Sequence, residues 1–449
     1  MGETSGAPPA SSSASGGRTA QRVCVIGAGM SGLAAIRALL RTGHDVTAYE
    51  AGSGIGGMWR YANDSGLSAA YASLSTNTSR KRMQYPSLPM ARSAGDFPHR
   101  SQMLAYLEEY AARNDLQRSI VCGVRVRAVR PVDGGWEVAV DGEEAQRFDA
   151  VAVACGHYWE PQLPPLPGTF DGAAMHAREY RAPEPFAGQR VAVVGGGQSA
   201  LDIAAEISTT AQRTILACNH VHHLIPRHAF GRPFDDFDRA AAQLLPLALH
   251  RALMRTLMLA ARATPDRGEL PAPDHRLLEM RWPIVVSPHM QRALTTRALE
   301  CRPHVSELDG ELVRFADGSE ERLDAIVFAT GYSISFPFLP DDLGQGRGWE
   351  FPLYRRILAP RAPGLAFIGV LEPGPGLFEI VERQSEWLGA VLAGRLRVPE
   401  RERMWRAIDA GGERRSRRQF GATGAHTILC NRHAYLRLLA RDVRRGAVG

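Results

Sequence analysis

Two short glycine runs, each placed directly after an apolar strand-like segment, constrain this chain more than any other feature. Residues 22–26 (RVCVI) lead into Gly27-Ala28-Gly29-Met30-Ser31-Gly32, and residues 189–194 (QRVAVV) lead into Gly195-Gly196-Gly197-Gln198-Ser199-Ala200. The first glycines of the two runs stand 168 positions apart (195 − 27 = 168). Helical spacing follows each, over Leu33 to Arg41 and over Leu201 to Ile207. In a strand–turn–helix unit of this kind the first glycine permits the turn and the second admits a diphosphate close to the backbone. The third small residue lets the helix approach the sheet. Free N–H groups at the helix start then face phosphate oxygens. Two such units predict an α/β chain with two dinucleotide-binding, three-layer, Rossmann-like domains. A tightly held flavin in one and a nicotinamide donor in the other account for the duplication.

The strand ends separate the two sites. Glu50 closes the second strand of the first unit, where a carboxylate accepts ribose hydroxyl hydrogens. The corresponding place in the second unit falls near Cys218, followed by Asn219 and His220, with Arg213 and Arg227 nearby. A carboxylate there would repel a 2′-phosphate, so its absence favours NADPH over NADH. Either arginine is a candidate phosphate clamp, and an ordinary surface position is the alternative. A further cluster, Gly54, Gly56, Gly57, Met58 and Trp59, reads as flexible backbone against a flat ring system or as a structural loop.

Other classes fit poorly. The six cysteines are scattered with no C-x-x-C pair, which disfavours a redox dithiol, an iron–sulfur site or a zinc knuckle and suits a reducing cytoplasm. No metal site is expected. The net charge of +6 is dispersed, and its densest run, Arg414, Arg415, Arg417 and Arg418, has no nucleic-acid-binding module beside it. Residues 1–20 read as a disordered tail rich in Ser, Gly, Ala and Pro. The apolar stretch Leu244 to Ala261 carries Pro246, His250, Arg251 and Arg255, which make a membrane span costly and an amphipathic helix the better reading.

The segment Gly27 to Trp59, with its G-G-x-W turn, resembles the FAD-binding start of the flavin-containing monooxygenases. Phe170 to Tyr180 (FDGAAMHAREY) matches their F-x-G-x-x-x-H-x-x-x-Y/F fingerprint. Phe328-Ala329-Thr330-Gly331-Tyr332 is similar to their A-T-G-Y segment, and Glu382, Gln384 and Trp387 to their E-x-Q-x-x-W stretch. His426-Thr427-Ile428 and Tyr435 resemble the family's tail, with Cys430-Asn431 a departure from it. The likeness covers roughly residues 21 to 443 and is weakest between Gly231 and Pro288.

The resemblance implies a discontinuous FAD domain of residues 21–165 and 320–449. An NADPH domain of 166–319 would lie between them, carrying a helical insert over about 234–289. It implies a monooxygenase in which NADPH reduces FAD, O2 adds to the reduced ring, and the C4a-(hydro)peroxyflavin oxygenates a small organic substrate. Asn77, in Ser75-Thr76-Asn77-Thr78, matches the family's T-N asparagine, a flavin-peroxide contact; the bland alternative is a turn residue. His176 would couple the domains and position the cofactor loop. Tyr180-Arg181, where Baeyer–Villiger enzymes carry Trp-Pro, tilts the chemistry toward nitrogen or sulfur, and Tyr180 joins Asn77 and His176 as a candidate catalytic residue. Arg80 is a candidate for cofactor phosphate, and Thr330 and Gly331 for the domain junction beside the flavin. The partners expected are the substrate and O2, with room for a homodimer. Alternatives are Baeyer–Villiger oxygenation of a ketone on the same scaffold, a disulfide reductase lacking its C-x-x-C, and a nucleotide sensor.

Overall fold

The computed structural model describes residues 20–237, 245, 249, 252–254, 256–257, 269–272, 284–345, 351–374, 376–408 and 428–446. The N-terminal tail, most of the insert, the arginine run at 414–418, and His426 and Thr427 lie outside the described residues.

Short apolar runs of Val, Ile and Ala are the strands most easily buried on both faces, and they form the centres of two parallel sheets. In the first sheet the order is Leu365–Phe367, Ala150–Val153, Arg22–Ile26, Asp45–Glu50, Ile120–Cys122, with every neighbouring pair parallel. Helix Met30–Arg41 covers one face with its buried Leu33, Ile36 and Leu39 and packs on helix Phe378–Leu392. The two helices meet closely at Gly389, where an added Cβ would stand 3.0 Å from Thr42 Oγ1. An antiparallel layer, Val126–Val132, Gly135–Val140 and Gln146–Phe148, covers the other face and buries Trp136 and Phe148.

The second sheet repeats the plan in the order Ala173–His176, Ala325–Phe328, Arg190–Val194, Arg213–Ala217, Glu300–Arg302, again all parallel. Helix Gln198–Ile207 and helix Pro288–Thr295 pack on one face. A four-stranded layer that includes Val305–Gly310 and Leu312–Phe315 packs on the other. Each unit is therefore helix, parallel sheet and a second sheet in three layers, the α/β class expected. The second sheet is antiparallel in the first unit and mixed in the second, where Val305–Gly310 pairs in parallel with Gly168–Phe170.

One expected boundary moves. A second unit ending at residue 319 omits Ala325–Phe328, yet this strand lies between Ala173–His176 and Arg190–Val194 and pairs with both. Its four apolar residues would suit either sheet; pairing register, which no local pattern encodes, assigns it to the second. Glu160–Pro161 and Tyr332–Ser333, where the chain passes between the units, form a two-stranded antiparallel ladder. Among the described residues no helix is long and apolar enough to cross a membrane.

Candidate active site

The first glycine loop is shaped by contacts that only glycine tolerates. A Cβ on Gly32 would lie 1.8 Å from the carbonyl oxygen of Gly27, so helix Met30–Arg41 could not begin where it does. Gly29 and Gly57 bring two backbones together: a Cβ on Gly57 (φ +54) would sit 3.1 Å from Gly29 Cα. Glu50 is buried and ties the loop down, Oε2 accepting from Ala28 N–H (2.7 Å) and Oε1 from Gly52 N–H (2.9 Å). Beside this cradle Trp59 is buried and its indole Nε1–H has no protein partner.

The second loop follows the same logic. Gly195 has φ +139, and its added Cβ would meet Ala329 O at 2.4 Å and Ala200 Cβ at 3.4 Å. In front of Gly197 an added Cβ would meet nothing within 4 Å, which leaves open space before the helix. Ser199 is exposed in that first turn, and Ala200 is fully buried against the sheet. Helices Met30–Arg41 and Gln198–Ile207 both start at a glycine N-cap with no side-chain cap and no acidic residue in the first turn. Uncapped N–H groups with the positive end of the helix dipole are anion sites. The residues present fit a dinucleotide diphosphate at each loop, and the partnerless Trp59 donor fits a polar acceptor on a cofactor at the first.

Several expected cofactor contacts are spent elsewhere. Arg80 donates to the carbonyls of Gly95 (3.1 Å) and Met90 (2.8 Å) through Nε and Nη1, so its guanidinium braces a loop. Arg213 opens its strand, pairing in register with Arg190, whereas the glycine loop follows the far end of the sheet. There it is fixed by Glu300 (2.7 Å) and Glu321 (2.8 Å), which removes it from the 2′-phosphate position. Arg227 donates to Ser75 Oγ (2.9 Å) and lies over the Phe97 ring, facing a cavity and not the strand end. The strand end itself offers Cys218, Asn219 and His220, with the Asn219 amide oxygen accepting from His304 N–H (3.1 Å). Thr330 Oγ1 donates to Gln162 O (2.5 Å), and Gly331 O accepts from Gln162 N–H (3.0 Å). These two residues thus stitch the crossover together.

His176 belongs to that crossover. It is buried, its Nδ1 accepts from Arg178 N–H (3.1 Å), and this fixes the tautomer in which Nε2–H donates to Gly331 O (3.1 Å). Burial pushes its pKa below the usual value, which favours the neutral ring. With both ring nitrogens engaged, His176 joins elements and has no proton to trade. Tyr180 is likewise not a catalytic acid. Its hydroxyl donates to Glu206 Oε2 (2.8 Å), and burial, then the Glu206 charge, push its pKa far above the ordinary phenol value.

Asn77 and Arg227 come together in a cavity of about 130 Å³. Its other walls are Tyr71, Ser73 and Ser75 from the first unit's long loop, and Asp202, Glu206 and residues 287–289 from the second unit. Asp202 and Glu206 stand one turn apart on helix Gln198–Ile207 and are only 8% and 7% exposed. Burial raises the Asp202 pKa to about 6, against the pull of hydrogen bonds from Gln198 and Ser287 and of the Arg227 charge. Sequence reading passed over both acids. The available signal was two carboxylates four residues apart on an otherwise apolar helix just after a glycine loop. The Asn77 loop is clamped from the second unit: Asp235 accepts from Ser79 N–H (2.7 Å) and Asp236 pairs with Lys81 (2.6 Å).

Two Rossmann-like units, each with an uncapped glycine-loop helix, and a polar cavity where they meet define a two-cofactor oxidoreductase. Residues 20–445 match the flavin-binding monooxygenase-like family model, and the chain belongs to this family of FAD- and NADPH-dependent monooxygenases. Dimethylaniline monooxygenase (N-oxide-forming) 2 of Rattus norvegicus is 32% identical over 446 residues, 94% of this chain and 82% of that protein. Flavin-containing monooxygenase 5 of Oryctolagus cuniculus is 32% identical over 431 residues, 91% of this chain and 80% of that one. Among solved structures, S-allyl-L-cysteine S-oxygenase from Allium sativum superposes with a TM-score of 0.71 at 25% identity, covering 95% of this chain and 89% of that chain. Cyclohexanone monooxygenase from Rhodococcus sp. Phi1, at 19% identity and a TM-score of 0.67 over 95% of this chain and 98% of that one, shares the fold.

Proposed function

We propose that this monooxygenase places one oxygen atom of O2 on a nitrogen or sulfur atom of a small organic substrate, the other leaving as water as NADPH is oxidised. The observation that carries this reading is Asn77 on the wall of a cavity between the two glycine-loop units. Relatives named for N-oxide formation and for S-oxygenation support nitrogen and sulfur as acceptors.

Bound FAD supplies the redox and oxygen-activating chemistry, with NADPH as hydride donor. In this reading the first glycine loop, Glu50 and Trp59 hold FAD on a unit built from two separated stretches of chain, and the second loop holds NADPH. The Asn77 amide would offer a hydrogen bond to the reacting oxygen, and the loop that carries it is held by the Ser79–Asp235 and Lys81–Asp236 contacts. Walls from both units would limit solvent at the cavity, which favours transfer to substrate over loss of peroxide.

Steady-state assays with N,N-dimethylaniline, methyl phenyl sulfide and cyclohexanone test the reading. Oxide formation from the amine or sulfide, with little lactone from the ketone, is expected. Lactone as the dominant product would replace it with Baeyer–Villiger chemistry.

A further inference from the structure

Asn77 lines the cavity, and its side-chain amide has no hydrogen-bond partner among the described residues. With no bond on the amide itself, its place follows from the backbone that carries it. That backbone is held from both units. Within the first unit Thr76 N–H donates to Pro98 O (2.9 Å) and Arg80 N–H to Asp96 O (2.7 Å). From the second unit two side chains reach across, one on each side of Asn77. Arg227 donates to Ser75 Oγ (2.9 Å), and Asp235 Oδ2 accepts from Ser79 N–H (2.7 Å). Ser79 is buried, so loss of the Asp235 carboxylate would orphan an enclosed backbone donor, which the loop can satisfy only by moving. The Asp235 carbonyl also accepts from Arg82 Nη2 (3.1 Å). The adjacent Lys81–Asp236 pair has a half-exposed lysine, and such pairs fix geometry weakly.

We infer that Asp235 is a positioning residue for oxygen transfer: by holding Ser79 N–H it sets where the Asn77 backbone stands, with the Arg227–Ser75 bond as the matching hold on the other side. This inference rests on the oxygenase reading above. Asp235 is not among the residues that line the cavity, so it acts through the loop and not on the substrate. A donor displaced by about 1 Å at a reacting centre costs ~100-fold in rate. The hold comes from the second unit, whereas Asn77 belongs to the first. Oxidation of NADPH and delivery of oxygen are therefore separable, and only the second depends on this bracket across the units.

The test uses the FAD-loaded, full-length enzyme with methyl phenyl sulfide as acceptor. Asp235→Ala is expected to lower sulfoxide formed per NADPH oxidised about 10- to 100-fold, with peroxide making up the difference. Anaerobic bleaching of the flavin by NADPH should stay near the wild-type rate. Asp235→Asn, whose amide oxygen still accepts from Ser79 N–H, is expected to restore the wild-type ratio. Ser75→Ala removes the other hold and should move the ratio in the same direction, which keeps the test open if Asp235→Ala does not fold. Combining Asp235→Ala with Asn77→Ala should give coupling no lower than Asn77→Ala alone, the non-additivity of groups that act through one another. Hydrogen–deuterium exchange over residues 75–82 reads the loop without turnover: faster in Asp235→Ala, as wild type in Asp235→Asn. Wild-type coupling in a folded Asp235→Ala, or losses that multiply in the double variant, overturns the inference. If the wild type forms sulfoxide in that case, the oxygenase reading stands alone. If the wild type oxygenates neither sulfide nor amine, both fall.

Discussion

His176 Nε2–H donates to the carbonyl oxygen of Gly331 at 3.1 Å and so joins two residues 155 positions apart, one on each side of the second unit's chain. The same carbonyl accepts from Gln162, which makes Gly331 the node of the crossover. Replacing His176 with Ala removes the donor to Gly331, whose carbonyl keeps Gln162, and also the acceptor of the Arg178 N–H, so a loss of about 2 kcal/mol is expected, the net scale of two hydrogen bonds. The sign of the pH effect follows from burial lowering the folded-state pKa. The contribution is complete above the unfolded-state value near ~6.5 and declines as pH falls through the depressed folded value. Chemical denaturation at pH 8 and at pH 5.5 should show a larger wild-type loss on acidification than in His176→Gln. Parallel losses would show that His176 does not carry the dependence.

Asn77 should govern where the oxygen goes more than whether NADPH is consumed. Asn77→Ala is expected to keep NADPH oxidation while lowering product formation ~100-fold or more, as for loss of one preorganised donor. Hydrogen peroxide should account for the difference, measured as peroxide released per NADPH oxidised. Full coupling in the variant would remove Asn77 from the chemistry.

The 1.8 Å approach at Gly32 allows no side chain. Gly32→Ala is expected to yield protein with less than about a tenth of the wild-type flavin, because the helix start that meets the diphosphate must shift. Absorbance of the purified protein near the flavin bands reads this directly. Normal flavin content would mean that the loop is not the flavin site.

Arg213 lies at the wrong end of its strand to select the nicotinamide cofactor. Arg213→Met should change the ratio of kcat/KM for NADPH over NADH by less than about threefold, while costing up to ~1 kcal/mol of stability through loss of partly exposed ion pairs. By contrast His220→Arg, at the strand end beside the second glycine loop, should raise the preference for NADPH. Steady-state kinetics with both cofactors separates the two positions. A large drop in preference on changing Arg213 would contradict the geometry.

Local pattern carried much of the fold. Strand, glycine turn and helix are adjacent in sequence, so the two loops, Glu50 and the α/β class were legible without coordinates. Features set by distant pairing were not. Ala325–Phe328 is an apolar run that joins whichever sheet offers it a register, and proximity in sequence could not show that Arg213 faces away from the loop. Arg80 and Tyr180 carried chemically suitable groups that bond to partners 10 and 26 positions away, and Arg227 and Thr330 to partners 152 and 168 positions away. Asp202 and Glu206 were missed for the converse reason: nothing local to their helix shows that Tyr71, Ser73, Ser75 and Asn77 share a cavity with them.

The most direct test of the central claim is an isotope balance under 18O2 with NADPH and an amine or sulfide acceptor. The account calls for one 18O atom in each product molecule, one NADPH consumed per product, and little labelled peroxide. Product oxygen drawn from water, or NADPH oxidation that ends wholly in peroxide for every acceptor, would contradict it.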